Sequence, residues 1–290
     1  MTRIATLLSV LALLALAPPQ AAFAGDKAIP HVNAFGGSCP RCELSGRRLR
    51  GAQFLAANFS GASFVGSDLR EAHFLASNFS GANLSRADLT DSQILGAIFK
   101  SANLSNARLR DTQATASIFS EANLSGADMT DANAQGSRFD DATLAGAILR
   151  SVDFSAANLN RVVAHGADFR DATLRGATLS AGRFEKASFR DSVLDAADLA
   201  GGNFDGADFR DASMQRTVLY GADLAHARGL TQDQLDEACA DSRTRLPPGL
   251  TGKTCSGLHI SIHGPRMIVV PPIPPAAPAP RYLVATDPTP

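Results

Sequence analysis

The sequence has no tryptophan and only two tyrosines, Tyr220 and Tyr282. A core without these large amphipathic aromatics is filled by small and medium apolar side chains used many times over. Charge of one sign is also lacking. The 27 basic and 28 acidic residues leave a formal charge of −1, so neither nucleic acid nor anionic lipid is expected as a charge-driven partner. Long apolar runs are absent after the first few residues. There Arg3 precedes an apolar run over residues 4–17, and Ala22-Phe23-Ala24 offers a small-residue cleavage site. Residues 1–24 therefore read as a secretory signal peptide. The run is short for a membrane span, and no later segment is long enough. The expected localisation is periplasmic or secreted, with no membrane span once the signal is removed. Cys39 lies well beyond the cleavage site and has no apolar run before it, which argues against lipidation.

What the chain does contain is repetition, with 45% apolar residues supplied mostly by alanine, leucine and phenylalanine. From Leu44, every fifth residue is large and apolar: Leu44, Leu49, Phe54, Phe59, Phe64, Leu69 and onward in unbroken phase to Leu224. Only Ala114, Ala134 and Ala164 depart from the rule, and Met129 and Met214 satisfy it. Two residues before most centres stands a small residue, such as Ala52, Ala57, Ala62 and Ser67. Neither the helical period of 3.6 nor the strand period of 2 produces a five-residue rhythm. A unit with one small and one large inward position can form one side of a coil. If four units close the coil, residues 20 apart stack at the inter-strand distance.

A second period in the outward positions supports the four-sided coil. Arg50, Arg70, Arg110, Arg150, Arg170, Arg190 and Arg210 share one column, interrupted by Thr90 and Thr130. The residues after them include Glu71, Asp91, Asp111, Asp131, Asp171, Asp191 and Asp211. Asn83, Asn103 and Asn123 form another column, and Phe59, Phe79, Phe99, Phe119 and Phe139 a further one. The stretch Asp-Phe-Arg-Asp-Ala at residues 168–172 and again at 208–212 follows from the same register. The basic and acidic columns are expected to neutralise each other as surface pairs that serve solubility and register.

The segments GANLSRADLT and EANLSGADMT resemble the pentapeptide-repeat family, whose unit is A-[D/N]-L-x-x. The resemblance covers residues 42 to about 228. It implies an all-β fold, a right-handed quadrilateral β-helix with four pentapeptides per coil and the small and large positions inside. Thirty-seven centres then make about nine coils, roughly 40–45 Å in length. The resemblance also brings one known role, because some members mimic duplex DNA and bind DNA topoisomerase. That role implies a strongly acidic surface and access to the cytoplasm, and neither matches this chain. A DNA-mimicking, gyrase-binding protein is therefore the alternative reading.

The ends of an open β-helix need covers. Residues 25–41 are expected to form an N-terminal linker or cap that holds Cys39 and Cys42 just before the first coil, followed by the β-helix over 42–228. Residues 229–258 are expected to form a helical C-terminal cap, with Thr231 as N-cap, Gln234 completing a capping box, and Leu230 and Leu235 resting on the last coil. Residues 259–290 read as an extended, proline-rich tail. The four cysteines suit an oxidising compartment and are candidate disulfides: Cys39 with Cys42 and Cys239 with Cys255, although sequence alone permits three pairings. The C-x-x-C spacing also occurs in redox and metal sites, but no β-α-β context and no second close pair accompany it. Cys255, His259 and His263 have a spacing that a metal could use on a helix, whereas the alternating His-Ile-Ser-Ile-His pattern suggests a short strand.

No cofactor, metal or catalytic residue is expected. His73 and His165 fall in different columns, and His165 and His226 lie three coils apart. The reading is a non-enzymatic exported scaffold whose partner is an unknown protein or a second copy of the chain in a homodimer. Its candidate interaction surface is the corner where Leu55, Leu75 and Leu95 stack outward beside Ile98 and Ile118, open to a partner, a second copy or the N-terminal linker.

Overall fold

The computed structural model describes residues 37–255. The chain divides into two units, Met1–Thr254 and Cys255–Pro290, and the repeats belong to the first. The expected signal peptide, most of the N-terminal linker, His259, His263 and the proline-rich tail lie outside the described residues.

Each five-residue unit has a physical reason for every position. The residue before the centre is bridged in parallel to the residue 20 places later, from Ser38 with Asn58 through Asp208 with Arg228 without a slip. Where that residue is Asn or Asp, its side chain often accepts the backbone N–H two residues on, as Asn83 Oδ1 does from Ser85 (3.1 Å) and Asp88 Oδ1 from Thr90 (3.1 Å). This Asx turn bends the strand at once into a corner. Two residues past the centre the backbone goes left-handed, with φ near +60°, so glycine recurs there and Asp91, Asp111 and Asp131 occupy equivalent places. The third residue past the centre returns its N–H to the centre's carbonyl in most turns, as in Ala62 to Phe59 (3.0 Å). Four such corners bring the chain back over itself.

The interior is one continuous apolar column. Every centre from Leu49 to Leu224 is buried, and so are almost all the small positions between them. Burial of each Leu or Phe contributes about 1.5–3 kcal/mol. Phe59, Phe79, Phe99, Phe119 and Phe139 stack in sequence, with centroids 5.5, 5.2, 5.2 and 4.8 Å apart and planes within 14° of parallel. Beyond Phe139 the rings move to other sides of the coil. Phe169, Phe189 and Phe209 stack at 4.9 and 5.1 Å, and Phe184 and Phe204 at 5.0 Å. Gly182 and Gly202 take the small position before Phe184 and Phe204, where a Cβ would come within 2.4 and 2.6 Å of the ring.

Serine and threonine at the small position are buried as well, and most find a carbonyl. Ser77 Oγ donates to Phe54 O (2.8 Å) and Thr217 Oγ1 to Leu194 O (2.8 Å), each residue 23 places back. These bonds join one coil to the one before it and remove the cost of a buried hydroxyl.

Both ends differ from the expectation. Parallel pairing begins at Ser38, so Cys39 and Cys42 stand inside the first coil, Cys39 at a centre and Cys42 at a small position, half-buried against the core. At the other end the cap is only briefly helical. Helix α1, Gln232–Glu237, is six residues long, and the chain then rejoins the ladder as Cys239 pairs with Val218 and Arg245 with Asp223. Thr231 caps α1 through a capping box with Gln234. The Gln234 amide also donates to Phe209 O (3.0 Å), which already accepts from Ala212 N (3.2 Å), and to Ala212 O (2.8 Å), tying α1 to the last coil. Leu235, on α1, is buried, and Leu230, just before it, is half-buried against the core.

Candidate functional site

Two surface features stand out from the repeating exterior. The first is the apolar corner expected from the sequence. Ala56 N donates to Leu75 O (3.0 Å) and Ala76 N to Leu95 O (3.1 Å), so Leu55, Leu75 and Leu95 follow one another along adjacent coils. Leu55 and Leu95 are each 40% exposed, and Leu75 is half-buried. Ile98 and Ile118 are bridged directly to each other and half-buried on the neighbouring side. The turn positions between them, Ala56, Ala76, Gly96 and Ala116, are exposed and carry no polar side chain. The corner is thus apolar across several consecutive coils, and Thr115 and Gln135 end the leucine stack.

The second feature is the side carrying Leu49, Leu69 and their successors to Phe209, where the Asp-Phe-Arg stretches lie. Asp168 and Arg170 flank the inward Phe169, so strand alternation points both outward on one side. They form a forked pair, Nε to Oδ1 at 2.8 Å and Nη2 to Oδ2 at 2.7 Å. Asp68 with Arg70 (2.8 and 2.6 Å) and Asp208 with Arg210 (2.9 and 2.5 Å) repeat this geometry. Arg70, Arg170 and Arg210 therefore find their main partner two residues back, and Arg110 and Arg150 find theirs 18 residues on, Asp128 (4.0 Å) and Asp168 (2.6 Å), which corrects the expected pairing with the acidic column next along. That cross-column pairing occurs at Arg50 with Glu71 and, by one bond of 3.2 Å, at Arg190 with Asp191. Asp208 is only 6% exposed, and hydrogen bonds from the Arg210 guanidinium hold its carboxyl below the ordinary range. For Asp168, burial pushes the pKa up, but hydrogen bonds from Arg170 and Arg150 outweigh it and bring the group down to about 2.

Between the Asp168–Arg170 and Asp208–Arg210 pairs the surface opens into a groove of about 310 Å³. Gly166, Lys186, Ser188 and Arg190 also line it. The sequence pattern placed Arg190 in the basic column but marked no groove here, because Ser188 and Lys186 are ordinary variations within a repeat. The signal was nevertheless present. Ser188 stands where Asp68, Asp168 and Asp208 stand in their own coils.

Cys39 and Cys42 are joined in a disulfide, with Cα atoms 5.5 Å apart. Cys239 and Cys255 are also in disulfide form, and no described cysteine is free. Among the described residues no group of His, Cys, Asp and Glu is arranged to hold a metal ion, and no helix is long and apolar enough to cross a membrane. His73 Nδ1 lies 3.1 Å from Gln93 Oε1 and His226 Nδ1 2.6 Å from Asp205 Oδ1, each a surface contact on its own coil stack.

The family model for pentapeptide repeats matches the chain in eight copies, over residues 41–74, 71–111, 107–146, 137–176, 172–211 and 192–228. With this family goes the right-handed quadrilateral β-helix. Among solved structures, HetL, a pentapeptide repeat protein involved in heterocyst differentiation regulation from the cyanobacterium Nostoc sp. strain PCC 7120, is 25% identical. It covers 72% of this chain and 91% of its own, with a TM-score of 0.34. QnrB1, a plasmid-mediated fluoroquinolone resistance protein, is 18% identical, with 71% and 94% covered and a TM-score of 0.31. A pentapeptide repeat protein from the thylakoid lumen of Arabidopsis thaliana is 25% identical, with 38% and 69% covered and a TM-score of 0.21. No curated protein sequence matches the chain.

Proposed function

The chain belongs to the pentapeptide-repeat family, and from that premise we propose that it is a non-enzymatic, exported β-helical scaffold that works by contact with another protein. The observation that carries this reading is the apolar corner. Leu55 and Leu95, each 40% exposed, with the half-buried Leu75 on the coil between them, form a contiguous patch of the kind that marks interfaces. A rigid, coil-by-coil backbone holds such a patch flat, and little conformational entropy is lost when a partner covers it. Export is supported by the character of residues 1–24 and by cysteines in disulfide form, which suits an oxidising compartment.

Two experiments bear on the proposal. Fractionation of an epitope-tagged chain is expected to place it in the periplasm or medium. A cytoplasmic result would remove the export reading and favour the topoisomerase-binding alternative. Replacing Leu55 and Leu95 together by aspartate is expected to abolish partner capture in a crosslinking pull-down from that compartment, with the melting temperature unchanged. Undiminished capture by the folded double variant would overturn the role of the corner.

A further inference from the structure

Between Asp168 and Arg210 the Asp-x-Arg pairs make one coil conspicuous, whereas earlier in the column Arg50, Arg110 and Arg150 follow Arg48, Arg108 and Ile148. At residues 168 and 170, and at 208 and 210, an outward carboxylate holds the arginine two residues on. In the coil between them the arginine is Arg190, and Ser188 stands where the aspartate would be. Ser188 is bridged to Asp168 on one side and Asp208 on the other, so its place lies midway between two occupied carboxylate positions. Arg190 keeps only one bond, from Nε to Asp191 at the corner, and its side chain is 46% exposed. The Ser188 hydroxyl and the Lys186 ammonium make no side-chain hydrogen bond or ion pair among the described residues. All three line the groove of about 310 Å³.

We propose that this groove binds an acidic segment of a protein partner, with one carboxylate from that segment seated between Arg190, Lys186 and the Ser188 hydroxyl, where the neighbouring coils supply an aspartate of their own. The proposal rests on the reading of the chain as a protein-binding scaffold and names the chemistry of the partner. The guanidinium offers a planar fork that matches a carboxylate, and Lys186 adds a second cation. Gly166 leaves the space beside Lys186 open. Asp168 and Asp208 do not repel the incoming group strongly, since each is already engaged by its own arginine. The groove's own side chains count four cations against these two carboxylates. Asp171, Asp191 and Asp211 follow the arginines in the chain and balance the wider charge. Recognition therefore depends on local fit rather than on net charge, and is expected to be weak for a lone ion and screened by salt.

The test uses the full chain and a fluorescein-labelled hexaglutamate peptide, with binding read by anisotropy at low salt. Wild type is expected to bind, and binding should fall as salt rises. Ser188→Asp fills the place from within and is expected to weaken binding by about tenfold or more, with Arg190→Ala similar, each loss being that of one charge-assisted contact. Arg50→Ala, on the same column but far along the coil, removes the same charge and should bind as wild type does. Melting temperatures of all variants identify any that fail to fold. Equal binding by wild type and folded Ser188→Asp would overturn the proposal. So would displacement of the peptide by low-millimolar inorganic phosphate, which would make the groove a general anion site. Failure of hexaglutamate to bind at all also ends this inference. It leaves the scaffold reading standing, because that is tested separately through Leu55 and Leu95.

Discussion

Phe119 and Phe139 stack with ring centroids 4.8 Å apart, and the next side of the same coils carries Ala114 and Ala134 in place of large centres. Two missing side chains thus adjoin two large rings, as close packing demands. Ala114→Phe would add a ring where the volume is already filled. We expect a loss of about 1–3 kcal/mol, read as a lower melting temperature. An unchanged melting temperature would contradict the packing described.

Gly182 answers to a different constraint from that of the turn glycines. Its backbone is not left-handed, but a Cβ would sit 2.4 Å from Phe184 Cε2 and 3.1 Å from Leu179 O. Gly182→Ala is expected to destabilise by about 1–3 kcal/mol through overpacking. Phe184→Leu should absorb much of that cost in the double variant, because the two sites share one space. Additive losses in a double-mutant cycle would show that the ring is not the obstacle.

The Asp168 carboxyl titrates at about 2, below its ordinary value of 3.8, because Arg170 and Arg150 bind the charged form. A lowered pKa in the folded state adds stability that is fully present above the unfolded value and is lost as pH falls toward the folded one. Melting temperature should therefore drop between pH 4 and pH 2. Asp168→Asn should show a smaller drop over that window and a lower starting value at neutral pH. Parallel acid profiles for the two proteins would argue against the pairing.

Gln234 ties α1 to the end of the β-helix through Phe209 O and Ala212 O. Gln234→Ala removes both bonds and half of the capping box, an expected cost of about 1–3 kcal/mol. An uncovered carbonyl at a coil end, here Ala212 O, also invites edge pairing with another chain. Light scattering should then show association that grows with concentration. A variant that stays monomeric at high concentration would show that α1 is not what blocks the end.

The interior could be read almost completely from the sequence, because a single inward phase runs from Leu44 to Leu224 and tolerates few exceptions. The start of the ladder was hidden because Cys39 and Cys42 occupy inward positions without being Leu, Phe or Ala. The outer surface was harder. Arg170 has Asp171 beside it in the chain and Asp168 two residues back, and column arithmetic alone favours the nearer one. Alternation across Phe169 decides for Asp168, since both side chains leave the same flank and Asp171 sits past the bend. Once that rule is known, the serine at 188 becomes visible as the break between Asp168 and Asp208, alongside the earlier departures at Arg48, Arg108 and Ile148. Without it, Ser188 is one more polar residue among many.

The uniform pairing of residues 20 apart also governs how such a chain can change length. Adding or removing twenty residues would raise or lower the stack by one storey and leave each wall facing as before. Adding five would swing everything downstream through a quarter turn, so that the Arg190 groove and the Leu55 corner, though individually intact, would look in new directions relative to each other.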